Sequence, residues 1–308
     1  MRRRSALERA LGPMIGAALG RPDVVEVLVN ADGAVWLDCV GRGLEDTGSL
    51  LSAGDREAAI RLLAHEAGEI VGADRPMLSA ILPDSAARVQ ALLPPLSAAP
   101  ILAVRKRPSM IFTLNDYVRQ GVATSAQADL LRAAIVARRN IVVAGGTGSG
   151  KTTLLNALLA EPAFAAARVV ILEDTAELQI ASLNAVQILT KRTPPMVGMR
   201  DLVQMTLRLR PDRIVVGEVR DGAALEVLKA WNTGHPGGLL TLHANSAADA
   251  LMRLEDLCLE AAPAPPKRLI QSAVDLVVFI ARKDSGGGRI IEEIFDPNAA
   301  QPLSPSNP

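Results

Sequence analysis

Aromatic side chains are almost missing from this chain of 308 residues, which holds four Phe, two Trp and one Tyr. Stacking of bases on an aromatic platform has little to work with, and Ala, Leu, Val and Ile must fill any core. A surplus of charge is missing as well: 33 basic residues face 33 acidic ones, for a net charge of zero. That balance excludes a protein held on nucleic acid by a broad basic surface, though not one with a narrow basic channel, so direct nucleic-acid binding is not expected. Cysteine is scarce. Cys39 and Cys258 fit no metal spacing and read as small buried apolar residues in a reducing cytoplasm. Long hydrophobic runs are also lacking, since the strongest, 273–281, is interrupted by Asp275. The first twenty residues begin with basic side chains, as a signal peptide does, but Glu8 and Arg9 break the apolar part. Leu7, Leu11, Ile15 and Leu19 recur every four residues, which predicts an amphipathic helix packed on its own domain. Arg2, Arg3 and Arg4 read as a solvated helix end, with peripheral contact to an anionic membrane surface as the alternative.

What is present is a phosphate-binding pattern. Residues 145–153 read GGTGSGKTT and fit G-x-x-x-x-G-K-[ST], with Gly145, Gly150, Lys151 and Thr152 at the fixed places. An apolar run precedes it and a helix pattern, 154–159, follows, which is the strand, loop and helix that a phosphate cradle requires. Gly145, Gly146, Thr147, Gly148, Ser149 and Gly150 supply the loop, whose glycines let backbone N–H groups turn onto phosphates. Lys151 would reach the β- and γ-phosphates, Thr152 would offer its hydroxyl to Mg²⁺, and Thr153 continues the cradle into the helix. The expected ligand is a nucleoside triphosphate.

The pattern along the chain divides in two. Residues 1–105 read as a small α+β domain, with strands at 24–29, 34–39, 77–82, 88–93 and 101–105 and a helix over 53–71 capped by Ser52. The pattern lapses over 106–115, taken as a linker. Residues 116–296 alternate helix and strand, with strands at 168–173, 186–189, 213–217 and 238–242 besides the one before the glycine loop. Helices are expected at 125–139, 199–209, 223–233 and 246–257, giving an α/β domain with a mainly parallel sheet covered on both faces. Residues 297–308, rich in Pro, Ser and Asn, read as a frayed tail.

Hydrolysis also needs acids for the metal and a group to orient or deprotonate water. Two strands end in acids. The first carries Glu173, Asp174 and Glu177, and the second carries Glu218 and Asp221. Ligands of open α/β sheets sit beyond the carboxyl ends of strands, where both clusters fall. Glu218 is the candidate general base; Asp174 joins Thr152 at Mg²⁺, partly through water, and Glu177 assists. A third segment, TGHPGGLLTLHAN, holds His235 and His243, the latter a candidate sensor of the γ-phosphate.

Taken in order, GGTGSGKTT, EDTAEL, RPDRIVVGEVRD and TGHPGGLLTLHAN resemble the four motifs of the type II/type IV secretion traffic ATPases. The similarity is greatest to the conjugative-transfer branch, the TrbB-like ATPases of type IV secretion, and covers nearly the whole chain. Gly217, where other P-loop proteins carry Asp, is ordinary in that superfamily. The resemblance implies a RecA-like P-loop ATPase domain and a homohexameric ring of two-domain subunits with Mg²⁺ and ATP bound between the domains. It implies a cytoplasmic location, peripheral to the inner membrane, with inner-membrane secretion or conjugation components as partners. It also implies arginines reaching the phosphates from the N-terminal domain, for which Arg88 and Arg105 are the matching positions. Arg208, Arg210 and Arg220 are further basic positions near the nucleotide or a subunit interface. Pilus-retraction ATPases of the same superfamily and RecA-like nucleic-acid motors remain the alternatives. The chain has too few cysteines for the tetracysteine zinc module of other branches.

Overall fold

A computed structural model describes residues 4–39, 42–81, 87–107, 111–191, 194–283 and 288–299. The chain divides into two compact units, Met1–Met110 and Ile111–Pro308.

In the first unit, α1 (Arg4–Gly20), β1 (Val24–Val29), β2 (Ala34–Cys39), β3 (Gly43–Leu50), α2 (Ala53–Glu66), β4 (Met77–Ile81), β5 (Arg88–Leu92) and β6 (Ile101–Arg105) follow in order. The six strands form one antiparallel sheet in the order β3-β2-β1-β6-β5-β4. Its core collects Leu7, Leu11 and Ile15 of α1, Ile60 and Leu63 of α2, and alternate strand residues such as Val27, Val29, Val89 and Leu102. The first helix is not continuous: Gly12 sits at φ 77°, ψ 161°, next to Pro13. Proline lacks the N–H that the preceding turn would bind, so the helix breaks there, and Leu19 is only partly buried. Ser52 caps α2 by accepting from the Asp55 N–H, but the helix stops at Glu66, short of residue 71. The strand β3 has no counterpart in the expected elements. Its polar sequence GLEDTGSL lies at a sheet edge, where the apolar alternation that marks a strand is not needed. Residue 82, the expected end of β4, lies outside the described residues.

The second unit runs α3 (Leu114–Arg119), α4 (Ser125–Val136), β7 (Ile141–Gly145), α5 (Lys151–Leu159), β8 (Val169–Glu173), β9 (Ala185–Leu189), α6 (Met199–Thr206), β10 (Arg213–Val216), α7 (Ala223–Asn232), β11 (Leu239–His243), α8 (Ala247–Leu259), α9 (Lys267–Ala273), β12 (Leu276–Arg282) and β13 (Arg289–Phe295). The sheet order is β13-β12-β7-β11-β10-β8-β9, parallel throughout except for β13. Alternate residues of each inner strand serve opposite layers. Val142, Val170, Val216 and Leu240 pack with α6–α9, whereas Ile141, Val143, Val169 and Val215 pack with α3–α5. Burial on both faces is why these strands read as unbroken apolar runs.

Three elements of this unit depart from expectation. The helix α3 begins inside the stretch taken as linker, held by a capping box between Thr113 and Asp116. The apolar run around residue 277 is the strand β12, beside β7, with β13 as its antiparallel neighbour. The short helix α9 precedes it. Residues 108–110 of the expected linker, residues 300–308 of the expected tail, and Arg2 and Arg3 lie outside the described residues. Both cysteines are free and buried, one in each unit, and burial pushes the Cys258 thiol up to about 11. Among the described residues no helix is long and apolar enough to cross a membrane.

Candidate nucleotide site

Parallel register brings the motifs to one edge. β7 ends at Gly145, paired with His243 at the end of β11; β10 ends at Val216, paired with Leu240 on one side and Leu172 on the other. The glycine loop, His243, Glu218 and the acids after β8 therefore share the carboxyl edge of the sheet.

The loop between β7 and α5 turns through Gly148 (φ 68°) and Gly150 (φ 102°), left-handed values that favour glycine. The first N–H groups of α5, beginning at Lys151, Thr152 and Thr153, have no partner within their own helix, the feature by which helix N-termini can hold an anion. Ser149 is buried, and Thr147 and Gly146 lie in the same turn. Lys151, also buried, donates from Nζ to the Gly145 oxygen (3.0 Å) and the Gly146 oxygen (2.8 Å), and stands 3.3 Å from His243 Nδ1.

His243 carries the chain of contacts onward. Its Nε2 lies 2.9 Å from Glu218 Oε1, and Glu218 Oε2 accepts from Arg220 at 2.5 Å. Burial lowers the His243 pKa, the Lys151 charge lowers it too, Glu218 pulls it the other way and Arg220 adds to the lowering. In its neutral form the ring can accept from Lys151 at Nδ1, while Glu218 Oε1 is buried beside Nε2 without a hydrogen bond of good geometry. Arg220 is held charged above its ordinary value, first by its bond to Glu218 and then by the fields of Glu218, Asp174 and Glu177. The loop bearing these residues is tied down by Thr241, whose hydroxyl donates to the Gly217 oxygen (2.6 Å) and whose oxygen accepts from the Val219 N–H (2.9 Å).

The acids after β8 divide the work. Glu173 is buried and turns Oε1 to the N–H groups of Glu177 (2.9 Å) and Leu178 (2.8 Å), shaping the loop. Asp174 Oδ1 accepts from the Thr190 hydroxyl at 2.8 Å. Glu177 is held by its backbone, its oxygen accepting from Asn156 Nδ2 at 3.3 Å. A cleft of about 440 Å³ opens among Asp174, Thr190, Lys191, Glu218, Arg220 and Asp221. The glycine at 217 has a local cause: a Cβ there would stand 3.0 Å from Glu173 Cγ. An Asp at this position would press a carboxylate onto a side chain already committed to two N–H groups.

Other positions are placed differently. Arg88 and Arg105 pair directly across β5 and β6 in the first unit, and the row continues through Glu26 of β1 to Asp38 of β2. Burial raises the Glu26 pKa, opposed by Arg105 and Arg88. Arg208 and Arg210 are exposed and precede β10, at the opposite sheet edge from the glycine loop, so the chain does not bring them to that loop. His235 stands 3.3 Å from the Ala230 oxygen through Nδ1, a structural contact rather than part of the site.

Two arginines absent from the expected set touch the loop. Arg282 at the end of β12 donates from Nε to the Gly148 oxygen (3.1 Å), and Arg289 at the start of β13 approaches the same oxygen at 3.5 Å. The available signal was the glycine-rich run 286–288 between two apolar segments, which marks a hairpin but not what its ends touch.

A strand, a glycine loop and a helix set in a parallel sheet, with acids and a histidine at the same edge, make up the kind of site found in nucleotide-binding proteins. Residues 73–289 match the family described as type II/IV secretion system protein. The chain is 48% identical over 291 residues to the conjugal transfer protein TrbB of Rhizobium radiobacter, covering 94% of this chain and 88% of that one. It is 34% identical to the type IV secretion system protein PtlH of Bordetella pertussis, covering 88% and 89% of the two. The crystal structure of the VirB11 ATPase of the Brucella suis type IV secretion system, in complex with sulphate, aligns with a TM-score of 0.50 at 29% identity, covering 96% and 95%. The chain belongs to the type II/IV secretion system family of traffic ATPases.

Proposed function

We propose that the protein hydrolyses ATP in a homohexameric ring that powers conjugative transfer or type IV secretion from the cytoplasmic face of the inner membrane. The observation that carries the catalytic part is the chain of contacts Lys151–His243–Glu218–Arg220, which links the phosphate loop to the candidate base. The similarity to a conjugal transfer protein over nearly the full length of both chains supports the process.

The glycine loop and the N–H groups that open α5 bind the phosphates, and Lys151 leaves the Gly145 and Gly146 oxygens to meet them. Glu218 takes the proton from water or orients it, with its carboxylate fixed from one side by His243 and from the other by Arg220. His243 touches both the lysine and the base, so it can report on the γ-phosphate. Thr152 and the second oxygen of Asp174 are hard oxygen donors of the kind Mg²⁺ takes, and Glu177 stands nearby. When bound, Mg²⁺ neutralises charge on the β- and γ-phosphates. Arg88 and Arg105 are the candidates to reach the phosphates from the first unit, since two like charges directly opposed across strands are relieved by an anion. Its partners are copies of itself and inner-membrane secretion components.

The test pairs ATPase rate with mass by light scattering across protein concentration, with and without Mg·ATP. Specific activity rising as the mass reaches six subunits supports the ring motor; a fully active monomer refutes the ring. Lys151→Ala should abolish hydrolysis, and Glu218→Gln should retain ATP binding while turnover collapses. Turnover at the wild-type rate in the Gln variant would remove Glu218 as the base.

A further inference from the structure

Arg282 and Arg289 form a directly opposed pair at the mouth of the β12–β13 hairpin. Like charges in that relation are destabilising unless something between them is negative. Among the described residues neither guanidinium is in an ion pair with a carboxylate; both are spent on one neutral carbonyl, that of Gly148. The Nε of Arg289 is buried with no hydrogen-bond partner. Both side chains lie against the loop itself: a Cβ on Gly148 would strike the Arg282 guanidinium, and one on Gly150 would stand 2.9 Å from Arg289 Cδ. Among the described residues, two cations without a carboxylate partner thus stand within one residue of the glycine loop.

Sheet order says which phosphates. β12 and β13 flank β7 on the side away from β11 and β10, which carry His243 and lead into Glu218. The γ-phosphate must face Glu218, so cations on the other flank face the phosphates that are not transferred. A guanidinium gains more from an oxyanion than from a carbonyl, and its fork matches two phosphate oxygens.

We propose that Arg282 and Arg289 leave the Gly148 carbonyl and clamp the α- and β-phosphates of the bound nucleotide. The inference rests on the nucleotide reading of the glycine loop. The clamp binds substrate and product alike, so it sets affinity and product retention rather than the chemical step.

The test uses the full chain as wild type and as Arg282→Ala, Arg289→Ala, Arg289→Lys and Lys151→Ala. Mg·ADP and inorganic pyrophosphate are titrated by calorimetry at two salt concentrations, with ATPase kinetics alongside. Arg289→Ala should weaken both ligands by about tenfold, raise KM, leave kcat within about twofold, and flatten the salt dependence of binding. Arg289→Lys, which keeps the charge without the fork, should lose less. Arg282→Ala should act in the same direction and decides the matter if Arg289→Ala does not fold. Unchanged ADP affinity overturns the proposal. So does weaker ADP binding with unchanged pyrophosphate binding, since the contact would then be to the nucleoside. A wild type that fails to bind Mg·ADP, or a Lys151→Ala variant that binds it equally well, would instead sink the nucleotide reading itself.

Discussion

At the scale of single residues, Gly217 and His243 make the sharpest claims. The Glu173 carboxylate is fixed by two N–H groups, and a methyl on residue 217 would press on its stem. Gly217→Ala should therefore cost about 1–3 kcal/mol in denaturant unfolding, and Gly217→Asp should cost more because it adds a like charge beside Glu173. Equal stability of the Asp variant would mean that Glu173 relaxes freely. His243 is held below its ordinary value of 6.5 by burial first and by the Lys151 charge next. As pH falls through 6.5, the unfolded chain takes up a proton here before the folded chain does. Stability at this position is thus present above 6.5 and declines below it, until the folded ring protonates as well. His243→Gln should flatten the acid side of a stability–pH curve; an unaltered slope would show that other groups set it. The glycine loop, Glu218 and His243 were legible as residue types at fixed spacings. Arg282 was not, because its partner Gly148 lies 134 positions away and nothing local to either residue marks the contact.

At the scale of elements, β7 is positioned by its first turn rather than by its apolar run. Asn140 is buried, accepts from the N–H groups of Gly237 (2.8 Å) and Gly238 (3.0 Å), and donates from Nδ2 to the Ala273 oxygen (2.8 Å). One side chain therefore registers β7 against the chain entering β11 and against the end of α9. Asn140→Ala leaves three buried backbone groups unpaired and should lower stability by about 2–4 kcal/mol, measured by chemical denaturation. A loss below about 1 kcal/mol would mean that water replaces the amide. Gly238 is constrained too, since a Cβ there would run into the indole of Trp231, whose Nε1 donates to the Ile214 oxygen at 3.2 Å. Legibility of elements followed burial. β7, β8 and β10 are buried at every position and stood out as apolar runs, as did the run that became β12. No motif follows the latter, so the sequence marks it as an apolar run without its place in the sheet. The strand β3 and the six-residue α3 gave too little periodicity, and each takes its shape from edge pairing or a capping box instead.

At the scale of the whole molecule, each unit has its own core and no surplus charge is available for broad binding surfaces. The proposed contribution of the first unit to ATP hydrolysis would rest on a few cations, with the opposed Arg88 and Arg105 as the candidate pair. Replacing both with Ala relieves their mutual repulsion but takes from half-buried Glu26 the cations that oppose its burial, so the nucleotide-free unfolding temperature should fall slightly, while hydrolysis falls by about tenfold or more. Retained hydrolysis would confine the site to the second unit. Composition foretold the charge balance and the aliphatic cores, but not the sheet order that puts β12 and β13 beside the glycine loop, because strand order is a property of the folded chain.

The scarcity of aromatic residues leaves one indole in each unit: Trp36 on β2, partly exposed, and Trp231 on α7, 2% exposed. Intrinsic fluorescence is therefore a built-in reporter for each unit separately. Trp231 in its dry setting should emit to the blue of Trp36, and its bond to the Ile214 oxygen couples it to the strand that leads into Glu218. With Trp36→Phe, the remaining emission would follow the second unit alone, so its response to nucleotide could be timed without a label.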